Sequence, residues 1–172
     1  GCGIAADEVE RAFLRHATSK IKTQTDLNAI YTLGFRGEAL ASIAAVSRTE
    51  VFTKTAESQY GYSVTVEGGE ITESDVSGCP NGTTFIVRDL FFNTPARMKF
   101  LKSDAAETGY VTDVVNKLVL AHPEIAVKFI NNGKTVLQSN GSGKLIDAIY
   151  TVFGKDYARN MREVRFADDG IE

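Results

Sequence analysis

The residues with most chemical potential sit in glycine-bracketed and hydroxyl-rich segments, not in paired acids or histidines. Gly34-Phe35-Arg36-Gly37-Glu38-Ala39-Leu40-Ala41-Ser42 runs from a turn into a stretch where Leu40, Ile43, Ala44 and Val46 follow helical spacing. Glycine admits positive φ and close approach of another surface. A helix opens with unpaired N–H groups and a partial positive charge, so a polyphosphate suits such a junction. The same pattern also serves as plain punctuation between elements. A second segment, Arg15-His16-Ala17-Thr18-Ser19-Lys20, gathers cationic groups and hydroxyls. It reads either as a solvated helix end, where basic residues favour the dipole, or as a phosphate-contacting loop. These two polar segments bracket a short helix, an arrangement that suits a lid better than a rigid phosphate loop.

Other candidates carry less. Gly1-Cys2-Gly3-Ile4 is a tight turn. Gly141-Ser142-Gly143-Lys144 invites a P-loop reading, but Gln138 and Leu145 stand where that pattern needs Gly and Ser or Thr. Cys2 and Cys79 make no metal-ligand spacing, and two thiols suit a reducing compartment. His16 and His122 are far apart in the chain and give no catalytic pair.

The elements that must position these segments follow from periodicity. Asp7 and Glu10 form a capping-box pattern for a first helix carrying Val9, Ala12, Phe13 and Ala17, ending near Arg15–Lys20. Thr25 or Asp26 caps a short helix with Leu27, Ile30 and Tyr31, and the helix after Gly37 runs to about Ser47. Strands follow at 50–54, through Tyr60, Tyr62, Val64 and Val66, at 71–73 and at 83–90, the last with apolar residues on both faces and so fit for a central place. Tandem hairpins point to an antiparallel or mixed sheet. Thr94 and Pro95 read as the cap and first residue of a helix whose Arg97, Lys99 and Lys102 make a basic side. Asp104 with Glu107 opens the clearest amphipathic helix, bearing Val111, Val114, Val115, Leu118 and Val119 and stopped by Pro123. A hairpin turns at Asn131-Asn132-Gly133-Lys134. Asn140-Gly141-Ser142-Gly143 reads as a linker, and a helix carrying Leu145 to Phe153 closes at Gly154. With 172 residues, 43% apolar content and a net charge of −3, the chain suits a globular domain plus part of a second. No apolar run is long enough for a membrane-spanning helix. The abrupt ends read as those of a fragment.

In combination these motifs become specific. Gly1-Cys2-Gly3-Ile4, Arg15–Lys20, Gly34-Phe35-Arg36-Gly37-Glu38-Ala39-Leu40, Gly82-Thr83 and Asn93-Thr94-Pro95-Ala96-Arg97, in that order and spacing, resemble the MutL DNA mismatch repair family across residues 1 to about 140. That family belongs with gyrase, Hsp90-type chaperones and histidine kinases. The resemblance implies an α+β fold, a two-layer α/β sandwich with a mixed, mostly antiparallel sheet. It also implies an ATPase domain over 1–140 and, over 141–172, a linker and the beginning of a domain similar to ribosomal protein S5. It implies ATP and Mg²⁺ as cofactors. Gly1 and Gly3 would lie beneath the adenine and ribose, and Thr18, Ser19 and Lys20 in the lid near the phosphates. Gly34, Phe35, Arg36, Gly37, Ala39 and Leu40 would wrap the triphosphate, and Thr83 would hold the adenine edge. The family's general-base Glu, magnesium-binding Asn and adenine-reading Asp precede the position of Gly1. A lysine of the second domain would lie beyond Glu172. No catalytic or metal-binding residue is therefore assigned to this chain, and Glu38 is read as structural.

The implied partners are a second copy or paralogue through the N-terminal regions, a MutS-like mismatch recognition protein, and DNA contacted mainly outside these residues. The expected location is the bacterial cytoplasm, or the nucleus in a eukaryote. Two other readings compete. One is a gyrase-like or chaperone-like ATPase, whose lid glycines follow other patterns. The other is a non-hydrolysing nucleic-acid-binding scaffold using Lys155, Arg159, Arg162 and Arg165.

Overall fold

The computed structural model describes residues 1–17, 34 and 36–164. The expected short helix at 25–31, and Thr18, Ser19, Lys20, Phe35 and Arg165, lie outside the described residues. The chain divides into two compact units, Gly1–Phe100 and the residues from Leu101 onward.

In the first unit, helix α1 (Ala6–Val9) continues as a 3₁₀ turn, Glu10–Phe13, followed after the glycine segment by α2 (Ala39–Ala44). Then come strands β1 (Arg48–Lys54), β2 (Gly61–Glu67), β3 (Glu70–Ser77) and β4 (Gly82–Arg88), and a single-turn helix α3 (Pro95–Met98). The strands form one antiparallel sheet in the order β3-β2-β1-β4. Side-chain alternation divides it into two faces. Val51 of β1 and Val64 and Val66 of β2 share one face and are fully buried against Val9, Phe13 and Ala44 from the helical segments. Ile4, Leu40 and Tyr62 pack on the rim of that core. The helices thus cover one face of the sheet, the two-layer α+β arrangement expected. Every strand pair among the described residues is antiparallel.

Local readings need correction where tertiary contacts decide. The first helix breaks off at Phe13, and Ala5 rather than Asp7 occupies its N-cap position, with no side-chain hydrogen bond. A 3₁₀ turn brings Phe13 into the core, and Leu14 is already extended. The glycine-segment helix stops at Ala44, three residues short of Ser47, whose hydroxyl donates back to the Ile43 carbonyl. Strand β4 lies at an edge of the described sheet, with Phe85 and Val87 substantially exposed. Its hydrophobicity suited a central strand, but no described element pairs with its outer side.

The second unit contains α4 (Asp104–Ala121), the hairpin β5 (Lys128–Asn131) and β6 (Lys134–Gln138), and helices α5 (Leu145–Phe153) and α6 (Lys155–Asn160). Ser103 caps α4, its Oγ accepting from the Ala106 N–H, and Glu107 accepts from the Lys102 N–H. The cap therefore falls at Ser103, one residue before the expected Asp104, and Glu107 takes the N–H of the residue preceding the cap in place of a capping box. Val119 of α4 is buried with Leu137 and Ala148, while Val111 and Val114 remain exposed.

Asn140 to Gly143 form a built turn. Gly141 (φ +65°) passes so close to Ala126 that a Cβ would meet its backbone nitrogen at 2.6 Å. The Gly143 N–H donates to the Pro123 carbonyl. The Ser142 hydroxyl donates to Asp147 at 2.6 Å, which with Asn140 and nearby Lys144 holds that carboxyl below the usual aspartate range. Residues on both sides of position 140 share one core, so the segment read as a linker is a packed turn. Gly154 closes α5 with φ +88°, as its position after the last apolar residue requires.

Candidate functional site

The first corner of the candidate site is assembled at one end of β1. Thr53, almost fully buried, receives the Ile4 N–H on its Oγ1 at 2.8 Å and lies 2.9 Å from the Thr83 Oγ1. Its single hydroxyl proton has three acceptors in reach: the carbonyls of Ile4 and Gly82 and the Thr83 hydroxyl. In the β1–β4 register Thr53 faces Thr83, so the two side chains share a face of the sheet. Gly82 (φ +115°) would place a Cβ 3.7 Å from the Gly1 carbonyl. Gly1 and Gly3 are therefore neighbours of Thr83, although Thr83 lies 80 positions beyond Gly3 in the chain. Gly3 (φ +80°) is glycine for a packing reason as well, because a Cβ there would collide with the Lys54 carbonyl.

Thr53 is the residue that sequence reasoning missed. The only available signal was a threonine in phase with Thr49 and Val51 on the buried side of a strand, a position where a hydroxyl needs a partner.

The second part is the glycine segment. Gly37 takes φ +63° and is half-buried, while Gly34, Arg36 and Ala39 are exposed. A Cβ at Gly34 would meet nothing within 4 Å. Leu40 turns inward onto the core. Helix α2 has six residues, and Glu38 at its N-cap makes no capping bond. Any phosphate contact here would thus rest on local backbone amides more than on a helix dipole. His16, in a left-handed conformation (φ +62°), reaches the Glu38 carboxylate at 3.0 Å, joining the start of the Arg15–Lys20 segment to the glycine segment. This gives Glu38 a structural contact.

Both parts border the same core. Ile4, next to Gly3, and Leu40 pack against one hydrophobic cluster on the helix-covered face, the face that also carries Thr83. The structure thus brings Gly1, Gly3 and Thr83 together, and of the glycine segment it seats Leu40 on the core of the same face. The alternative basic residues Lys155 and Arg159 lie on α6, in the second unit.

Comparison with known structures places this geometry in a class. The fold is similar to the structure described as "Aquifex aeolicus MutL ATPase domain complexed with ADP", with a TM-score of 0.72 and 29% identity over 89% of this chain and 53% of that one. It is equally similar (TM-score 0.72, 28% identity, 95% and 48% coverage) to one described as the N-terminal domain of a DNA repair protein. The first unit and its helix-covered antiparallel sheet are those of an α+β ATPase fold of the MutL type.

The sequence comparison narrows this further. The chain is 49% identical over 165 residues to the DNA mismatch repair protein MutL of Agathobacter rectalis and 51% identical over 171 residues to that of Desulforudis audaxviator. These alignments cover 96% and 99% of this chain. It belongs to the MutL family. The chain spans 26% and 30% of the length of those two curated relatives. No protein-family model matches it.

Proposed function

We propose that this chain is the nucleotide-binding part of a DNA mismatch repair ATPase. In the whole protein, ATP binding orders the 15–40 region as a lid and favours pairing of two N-terminal regions into a clamp. The observation that carries this reading is the gathering of Gly1, Gly3 and Thr83 at one corner, on the face whose core also takes Leu40, in a chain about half identical to MutL proteins. Gly1 and Gly3 form the floor beneath adenine and ribose, and Thr83 meets the adenine edge. Backbone amides of Gly34, Arg36, Gly37, Ala39 and Leu40, together with Phe35 and the Thr18-Ser19-Lys20 run, enclose the triphosphate. The family boundary proposed near 140, with the ATPase domain over 1–140 and the second domain beginning in 141–172, falls at a packed turn inside the second compact unit.

The chemistry is hydrolysis of ATP by an activated water, with Mg²⁺ neutralising phosphate charge when bound. Among the described residues no three His, Cys, Asp or Glu side chains stand together to hold a metal ion. In this reading the chain's own residues carry no catalytic or metal-binding role. This chain's contribution is to hold the base and ribose at the β1–β4 corner and to bring amides to the phosphates. The terminal phosphate then acts as an order–disorder switch. The proposed partners are a second copy or paralogue, a MutS-like protein, and mismatched DNA contacted mainly outside these residues. The proposed setting is the bacterial cytoplasm. Among the described residues no helix is long and apolar enough to cross a membrane.

Hydrogen exchange on the complete protein tests the switch. A non-hydrolysable ATP analogue is expected to slow exchange across residues 15–40. Unchanged exchange there would overturn the lid assignment.

A further inference from the structure

The motif Asn93-Thr94-Pro95-Ala96-Arg97 has no part in the nucleotide site just proposed, yet the structure connects it to that site. The segment after β4 turns sharply, with Asp89 at φ +52° and Phe91 at φ +68°, and folds back over the C-terminal end of α2. There the Phe91 N–H donates to the Val46 carbonyl at 2.6 Å. The Asn93 side-chain amide donates to the Ala45 carbonyl at 2.9 Å. On the other side, the Gly68 N–H donates to the Ser47 carbonyl at 3.1 Å. A Cβ at Gly69 would lie 3.4 Å from the Ala45 Cα. The carbonyls just past the end of α2, which a helix leaves unpaired, are thus taken up by two separate loops. Only one of these donors is a side chain.

We propose that Asn93 is a positioning residue for the nucleotide site. By pinning Ala45, it sets where α2 lies, and through α2 it sets where the amides of residues 36–40 can meet the terminal phosphate. This rests on the reading of 34–40 as the phosphate segment. A short helix transmits position well, because its own hydrogen bonds make it rigid along its axis. Ala44 is fully buried and Asn93 holds the adjoining carbonyl, which fixes the C-terminal end of α2, while Leu40 seats its first turn on the core. The other end leads into the glycine segment, where Gly37 supplies the bend. The Gly1–Gly3–Thr83 corner is held by Thr53 and does not depend on Asn93.

The inference predicts an asymmetry between two nucleotides. Asn93→Ala in the complete protein is expected to weaken ATP binding roughly five- to tenfold, the scale of one lost hydrogen bond to a positioned group. ADP, held mainly at the base and ribose corner, should lose no more than about twofold. The KM for ATP should rise while kcat changes little. Arg88→Gln, which removes the exposed Arg88–Glu50 pair on the same sheet, serves as a stability control and should leave both affinities unchanged. Equal losses of ATP and ADP affinity in Asn93→Ala, or none, would overturn the positioning role while leaving the nucleotide site intact. Failure of the unsubstituted protein to bind ATP would instead overturn the functional reading, and the inference with it.

Discussion

At the scale of single residues, Thr53 shows how much one buried hydroxyl can organise. It accepts from the Ile4 N–H and has the Gly82 carbonyl and the Thr83 hydroxyl within reach, so it ties the N-terminal turn to the start of β4. Thr53→Val keeps the shape and removes the hydrogen bonds. The Ile4 N–H would then be left without its acceptor, a loss of about 1–3 kcal/mol. Urea denaturation of the first unit's fluorescence or circular dichroism signal should show the midpoint falling by a corresponding amount. A midpoint within error of the unsubstituted chain would mean that water replaces the hydroxyl at no cost. Arg48 illustrates the opposite case. It donates to Asp89 at 2.8 Å, lies near Glu67, and stacks 4.8 Å from the Phe92 ring. The hydrogen bond to Asp89 and the charge of Glu67 raise its already high pKa. The cluster is solvent-exposed, so its role is to orient the segment after β4 more than to add stability.

At the scale of elements, the turn between β6 and α5 separates a linker from a structural joint. Both have the same composition, rich in Gly, Ser and Asn. What differs is the packing of Gly141 on Ala126 and the bonds that Ser142 and Gly143 make. Gly141→Ala would force a side chain into both a left-handed backbone and the Ala126 backbone, costing roughly 1–3 kcal/mol or more. Thermal melting of the second unit should fall accordingly; an unchanged melt would mean that the turn opens freely. Helix ends teach a related lesson. Glu107 was recognised as a box member, but Ser103 takes the cap because its backbone is extended at the residue where the chain enters the helix. The sequence pattern points to Asp104, and only the backbone geometry moves the cap to Ser103.

At the scale of the whole molecule, the chain spans 26–30% of the length of the MutL relatives compared. The proposed reading assigns none of its residues to the hydrolytic step. By itself, this chain is expected to show no ATP turnover. Magnesium-dependent phosphate release from a rigorously purified preparation, abolished by no contaminant control, would show that the assignment of the base elsewhere is wrong. Many apolar side chains, among them Phe85, Val87, Val111, Val114 and Tyr150, are exposed among the described residues. Such a surface favours association, so any activity must be followed at several protein concentrations.

Much of the architecture was legible in the linear pattern. The alternation of Tyr62, Val64 and Val66 marked one buried face, and Asn132-Gly133 marked the second unit's hairpin, because period two and left-handed turns are local properties of the chain. The family motifs were legible for the same reason, as fixed types at fixed spacings. Where each helix stops, which strand lies at an edge, and whether a glycine-rich stretch is loose or packed depend on groups distant in sequence. Phe13 ends its helix to reach a core built by β1 and β2, and Ala45 gives its carbonyl to Asn93, 48 residues away. The amino-acid order determined the kinds of element and the family. Only the tertiary structure placed Thr53 between Ile4 and Thr83 and put both parts of the candidate site on one face, because hydrogen bonds between distant residues exist only once the sheet has set its register.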